Sequence, residues 1–386
     1  MRSVYLDNSA TTCISPEALR AVNEAYQQFG NPSSLHTMGV NASKVVREAS
    51  ESVLSLLSRD RMAGSIIFTS GGTESNNLAL LGAYNSKKRK IGDTLMISDS
   101  EHASVEEVAK HLEKIGVRIL RIPTAGGKLD LDFVSSNMDN SVYMISVMAV
   151  NNEMGSLYDI GSAFSIAKRL NPNVITHTDA VQAFGKIPLQ AEKLKADMIT
   201  VSSHKIHGPM GVGALFVSKN ILKERKLVST VYGGGQMSGF RSGTENYPAI
   251  AGFGAACKYL KTNLSSDAQR ISNVREYAIG RLSDLDVKIN NPASSAPHIV
   301  SITLPGIKSE VMLHFLSTAG IYVSSGSACS SNDSKTSVTL KAFGLSDFDA
   351  DCTIRISLDH NNTNDDIDAL YDMLSKGLET LIRRKK

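Results

Sequence analysis

Residues 60–220 alternate between two textures. Short runs rich in Val, Ile, Leu, Met and Phe, at 65–69, 93–98, 117–122, 142–147, 174–179, 197–201 and 212–217, read as β-strands. Between several of them, at 74–84, 104–115 and 160–170, the pattern is helical. This alternation predicts an α/β fold whose large domain holds a mostly parallel sheet covered on both faces by helices. Ligands in such sheets bind beyond the carboxyl ends of the strands. After about residue 245 the pattern changes. Helices at 248–262 and 267–284 lead into a strand at 299–304, a helix at 309–319, a strand at 353–358 and a closing helix from 365. The expected division is a large domain over 15–255 and a smaller α+β domain over 1–14 and 256–386.

Composition narrows the class. The 386 residues, 42% hydrophobic and 20% charged, suffice for two cores and do not suit a disordered or fibrous chain. Net charge is 41 − 38 = +3, and the densest basic cluster is only Lys87-Lys88-Arg89-Lys90, so direct nucleic-acid binding is not expected. The longest apolar stretch, 142–150, is broken by Ser146. It falls well short of the roughly 20 residues of a membrane-spanning helix. No apolar signal core follows Met1, so a soluble cytoplasmic protein is expected. Cys13, Cys257, Cys329 and Cys352 stand far apart, which suits free thiols in a reducing compartment.

Four segments carry candidate chemistry. Ser70-Gly71-Gly72-Thr73 lies between a strand and a helix, where backbone N–H groups and the helix dipole bind anions; a plain tight turn is the competing reading. Ser202-Ser203-His204-Lys205 follows another strand, and a lysine on that rim can form a Schiff base, although most lysines are simply surface charges. At the end of a third strand, Asp179 could keep a heteroaromatic nitrogen protonated and Gln182 could meet a ring hydroxyl, the pair that pyridoxal chemistry needs; a helix-capping Asp is equally compatible. Ser325-Gly326-Ser327-Ala328-Cys329 consists of small residues around a thiol, which reads as an exposed loop with a reactive cysteine. Cys257 and Cys352 sit in apolar contexts and read as packing, whereas Cys13 is ambiguous. His102 could reach the ligand rim or simply neighbour a helix cap. His204 and His207 lack a third ligand at matching spacing, so no metal is expected.

Read in order, these segments resemble the cysteine desulfurase family, in the class-V aminotransferase group of fold-type I pyridoxal phosphate enzymes. The resemblance runs almost end to end. It includes Tyr5-Leu6-Asp7-Asn8-Ser9-Ala10-Thr11-Thr12, Gly30-Asn31-Pro32-Ser33-Ser34-Leu35-His36, Gly71-Gly72-Thr73-Glu74-Ser75-Asn76-Asn77, Asn151-Asn152-Glu153-Met154-Gly155, His204-Lys205-Ile206-His207-Gly208-Pro209, Arg241-Ser242-Gly243-Thr244-Glu245-Asn246 and the Cys329 segment.

The resemblance implies a role for each matching residue. Lys205 tethers pyridoxal 5'-phosphate, Asp179 pairs with its ring nitrogen and Gln182 meets its ring oxygen. Gly72, Thr73, Ser202 and His204 hold the phosphate, and Thr244 reaches the partner subunit's phosphate across a homodimer interface. His102 stacks on the ring and moves protons. Asn152 and Arg355 place the substrate, L-cysteine, with the guanidinium fork suited to its carboxylate. Cys329 accepts the sulfur as a persulfide and passes it to an acceptor protein in iron–sulfur cluster assembly or tRNA thiolation. Two departures stand out: Cys13 where relatives commonly have Pro, and Asp359-His360 where a Gly-Arg pair is usual, near the expected carboxylate site. Selenocysteine lyase and cysteine-sulfinate desulfinase use the same cofactor site and are the nearest alternatives. A non-catalytic sulfur carrier is the alternative of another class.

Overall fold

The structure is a computed structural model and describes residues 3–86, 92–325 and 337–384. Strand β1 (Val4–Tyr5) and helices α1 (Pro16–Gln27) and α2 (Thr37–Leu57) precede an alternating unit. That unit runs β2 (Gly64–Thr69), α3 (Gly72–Tyr84), β3 (Thr94–Ser98), α4 (Ala103–Lys114), β4 (Arg118–Ile122), α5 (Leu131–Asn137), β5 (Val142–Ser146), α6 (Ile160–Leu170), β6 (Ile175–Asp179), α7 (Ala191–Leu194), β7 (Met198–Ser202), β8 (Gly213–Ser218) and α8 (Lys219–Glu224). The rest comprises α9 (Tyr247–Leu282), β9 (Lys288–Ile289), β10 (Ile299–Thr303), α10 (Ser309–Thr318), β11 (Ile321–Tyr322), α11 (Val338–Ala342), α12 (Asp347–Asp351), β12 (Thr353–Ser357) and α13 (Asn364–Thr380).

Strands β2 to β8 form one sheet in the order β2-β8-β7-β6-β5-β3-β4. Each lies within one residue of the bounds expected from the sequence. Only β8 runs against its two neighbours, so β2, β3, β5, β6 and β7 all end on the same edge. Alternate strand residues feed opposite cores. Ile66, Phe68 and Met96 join a core with α2, α6 and α9, whereas Ile67, Leu95 and Ile97 join one with α3 and α4. With both faces dry, the strands need no polar alternation.

A separate core forms from Val4 and Leu6 together with Ile271, Val300, Ile302, Leu316, Ile354 and Leu370. Here β10 pairs antiparallel with both β9 and β12, and β1 pairs parallel with β11. Helix α9 serves both cores, with Phe253 and Leu260 in the first and Ile271 and Leu282 in the second. It is one helix of 36 residues, about 54 Å long, not the two helices expected at 248–262 and 267–284. The polar stretch after Thr262 reads as a break, but Asn263 Nδ2 donates to Tyr259 O and Ser266 Oγ to Asn263 O, so these side chains fold back on the helix instead of ending it. The expected domain division between 255 and 256 falls inside α9. Among the described residues, no helix is long and apolar enough to cross a membrane.

Candidate active site

The common strand edge carries a cavity of about 210 Å³. Gly72 and Thr73 form one wall, at the start of α3. This helix has no side-chain cap, so its first-turn N–H groups lack intrahelical partners. A Cβ on Gly72 would lie 2.8 Å from Val181 Cγ2, which is why the wall is backbone there. Glu74 closes the turn behind it, accepting from Ser70 N at 2.8 Å and pairing with Arg241 Nε at 2.8 Å. Burial opposes ionisation of Glu74, but the bonds from Arg241 and Ser70 outweigh it and hold the carboxyl below its usual range.

Asp179, the last residue of β6, is buried and fixed from two sides. Asn76 Nδ2 donates to its Oδ2 at 2.7 Å and Val181 N–H to its Oδ1 at 2.9 Å. Asn76 also donates to Ser104 Oγ at 2.8 Å. His102 caps α4: its Nδ1 accepts from Ser104 N–H at 3.1 Å and lies 2.8 Å from Ser104 Oγ. His102 is thus the α4 cap itself, not a neighbour of it, and it also lines the cavity. With Nδ1 accepting, the neutral ring carries its proton on Nε2.

Lys205 stands in the tight turn after β7, and an N-terminal strap holds it. Its Nζ donates to Ser9 O and Ala10 O, each at 2.6 Å. Thr12 clamps the same turn, donating N–H to His204 O at 2.9 Å and accepting from His207 N–H at 2.8 Å. His207 has a left-handed φ of 65°, which this clamp stabilises. Gln182 Nε2 donates to Ser9 O at 2.9 Å, so strap and sheet edge are joined on both sides of the amine. His204 packs Nδ1 against Thr11 Oγ1 at 3.1 Å. Burial, then the charge of Lys205, lowers the His204 pKa to about 4.

Arg355 enters from β12, in the smaller core, and is 2% exposed. Its guanidinium donates to Asn152 O at 2.9 Å and to Asp7 Oδ1 at 2.7 Å, while Nε has no partner among the described residues. Asp359 and His360 lie elsewhere. Asp359 Oδ2 is 3.5 Å from His207 Nε2, and the His360 ring packs edge-on against His207 at 4.7 Å. The Asp-His pair thus sits behind the Lys205 turn and does not line the cavity.

Gly72, Thr73, His102, Asn152 and Asp179 line this single space together with Gln182, Ser202, His204, Lys205 and Arg355. Thr244 does not; it is exposed on a loop of its own chain. Cys329 lies outside the described residues. Cys13 is exposed, whereas Cys257 and Cys352 are buried. Sequence reasoning assigned no role to Asn76, Asp7, Ser9 or Ala10. Asn76 follows Gly72 by four residues on α3, one helical turn, and that spacing was the available signal.

These donors fit pyridoxal phosphate. Ser202 Oγ is buried with no partner among the described residues, and with the uncapped start of α3 it offers hydrogen bonds for a phosphate. At the other end Asp179 is already oriented and keeps lone pairs for a protonated ring nitrogen.

The class-V aminotransferase family model matches residues 4–370. The chain belongs to this family, in its cysteine desulfurase branch. It is 36% identical over 381 residues to cysteine desulfurase IscS 1 of Archaeoglobus fulgidus, covering 98% of this chain and 97% of that one. A solved NifS-like protein superimposes with a TM-score of 0.91 at 33% identity, covering 98% of this chain and all of the other. A second solved chain, SspA in complex with cysteine, matches with a TM-score of 0.80 at 28% identity over 94% of this chain and all of that one. NifS-like class-V aminotransferases are pyridoxal phosphate enzymes.

His177 in β6 is buried between Ser146 Oγ at 2.8 Å and Thr200 Oγ1 at 3.1 Å, and burial lowers its pKa to about 3. The unfolded imidazole binds a proton below about 6.5, so this neutral ring costs stability as pH falls from about 6.5 toward 3. His177→Gln cannot titrate. Between pH 7 and 5 it should lose less stability than the wild type, by about 2 kcal/mol in total. Denaturant unfolding at both pH values checks this, and parallel losses in the two proteins would show the ring protonated in the fold.

Proposed function

We propose that this chain is a homodimeric, pyridoxal phosphate-dependent cysteine desulfurase that converts L-cysteine to L-alanine and leaves the sulfur on Cys329 as a persulfide. The observation that carries the reading is the convergence of Lys205, Asp179, the α3 N-terminus and Arg355 on one cavity. When bound there, pyridoxal phosphate supplies an electron sink for the pair left at the substrate Cα.

The residues divide the remaining work. Arg355 receives the substrate carboxylate, in exchange for Asp7, with its guanidinium already aimed by Asn152 O. Lys205 takes the Cα proton once its amine is free, at the end of a turn that the strap keeps rigid. His102, fixed as the α4 cap, relays protons through Nε2. The Cys329 thiolate attacks the substrate sulfur. A new S–S bond forms, the substrate C–S bond breaks, and its electron pair returns to carbon, which is protonated to give alanine.

Both described flanks of the Cys329 segment are tied to the cavity. Ser324 exchanges backbone bonds with Arg355, at 3.0 and 2.6 Å, and Ser337 Oγ donates to Glu153 Oε2 at 2.6 Å, next to Asn152. Cys329 stands four positions after Ser325, a chain span of at most about 14 Å. The dimer is supported by exposed Thr244, whose own cavity does not use it, and by exposed Tyr26, Phe29, Leu35 and Tyr232. The acceptor is a protein of iron–sulfur assembly or tRNA thiolation, and the location is the cytoplasm.

Cys329→Ala tests the reading. It should bind L-cysteine with the wild-type absorbance change yet lose sulfide and alanine production by about 10²-fold or more. Sulfide release from cysteine at the wild-type rate would overturn the acceptor assignment. Retained activity on selenocysteine or cysteine sulfinate alone would favour those substrates.

A further inference from the structure

Glu101 follows β3 and precedes the His102 cap, and its side chain is about nine-tenths buried without lining the cavity. Its Oε1 accepts from Ser98 Oγ at 2.5 Å and from Met148 N–H at 2.8 Å, just beyond β5. Its Oε2 is shielded from solvent and meets no partner among the described residues. Met148 lines the cavity, and the next residue, Ala149, donates N–H to Asp179 O at 2.9 Å. One carboxyl thus bonds β3 to the backbone that carries both Met148 and the support of Asp179.

Asp179 and Tyr158 are the ionisable groups that interact with it among the described residues, and Asp99 and His102 are its near neighbours in the chain. Tyr158 OH lies 2.6 Å from Ser100 Oγ, and Asp99 Oδ1 accepts from Thr124 Oγ1 at 2.5 Å. An ionised Glu101 would leave charge on a dry oxygen beside the like charge of Asp179. Burial pushes its carboxyl up to about 8, aided by Asp179 and opposed by the bonds from Ser98 and Met148.

We propose that Glu101 is a positioning residue that works as the neutral acid: Oε1 ties β3 to Met148, and the proton on Oε2 leaves Asp179 as the one carboxylate at the ring-nitrogen end of the cavity. Asp179 is the one acidic side chain lining the cavity among the described residues. An anion beneath it would compete for the positive charge that Asp179 is placed to hold.

Glu101→Gln keeps an acceptor for Ser98 and Met148 and cannot ionise, so the holoenzyme carrying it should keep kcat/KM at pH 7 within about threefold of wild type. Glu101→Ala removes both bonds and should lose about tenfold or more. A carboxyl raised in the fold contributes stability below its ordinary pKa, and that contribution is lost as pH rises through the folded value. The Tm of Glu101→Gln should therefore climb relative to wild type between about pH 5 and 8. A pH-independent Tm difference, a loss above about tenfold in Glu101→Gln, or full activity in Glu101→Ala would each overturn the proposal. If Glu101→Gln does not fold, infrared titration of the wild type decides. A buried protonated carboxyl persisting to about pH 8 supports it, and its absence above about pH 6 overturns it. Only the kinetic arm rests on the proposed reaction. A wild type inactive on cysteine would defeat that reading while the Tm arm still judged the proton on Glu101.

Discussion

Lys205→Ala is expected to lower kcat/KM for L-cysteine by about 10³- to 10⁴-fold and to abolish the covalent tether to the cofactor. No other amine lines the cavity among the described residues, and the Arg355 guanidinium is engaged by Asn152 O and Asp7. Lys205→Arg preserves donors toward Ser9 O and Ala10 O but cannot give up a proton, so it should be equally inactive while keeping the wild-type Tm. Single-turnover kinetics with mass spectrometry after hydride reduction reads both effects. More than about a tenth of wild-type activity in either variant would remove Lys205 from the chemistry.

The second large effect is at Asp179. Asp179→Asn should lower kcat by about 10²-fold or more and weaken pyridoxal phosphate, because its amide carries no charge for a protonated ring nitrogen. Geometry adds to the loss. Asn76 Nδ2 and Val181 N–H both donate to the carboxylate, one to each oxygen, and an amide offers only one oxygen. One buried donor is left unsatisfied, at a cost of about 1–3 kcal/mol. Absorbance titration with the cofactor and steady-state kinetics measure the two parts. Wild-type kcat together with wild-type cofactor affinity would sink the assignment.

The two positions also show how differently parts of the site can be read. Asp179 and Lys205 end consecutive parallel strands, β6 and the turn after β7, so apolar runs followed by polar residues were enough to place them on one edge. Gly72-Thr73 was legible for the same reason, as a glycine pair between strand and helix. Arg355 was not legible from local pattern, because it sits on an antiparallel strand of the other core and reaches the cavity through tertiary packing. Its role came from resemblance alone. The Asn263–Ser266 stretch misled because side chains that usually end a helix bond back to it when both ends are packed in cores.

The chain's own order of residues determined the sheet, the helices on its faces, the ligand edge and the principal polar groups, since burial on both faces writes itself as apolar runs and local turns need only neighbouring residues. Tertiary structure alone decided that residues 7–12 would form a strap over Lys205, that Asn76 would brace Asp179, that Asp7 would hold Arg355 and that Asp359-His360 would pack behind the site. Those contacts join segments up to 348 positions apart. No period or short motif records such a pairing, because its energy arises only when separate elements exclude water from the space between them.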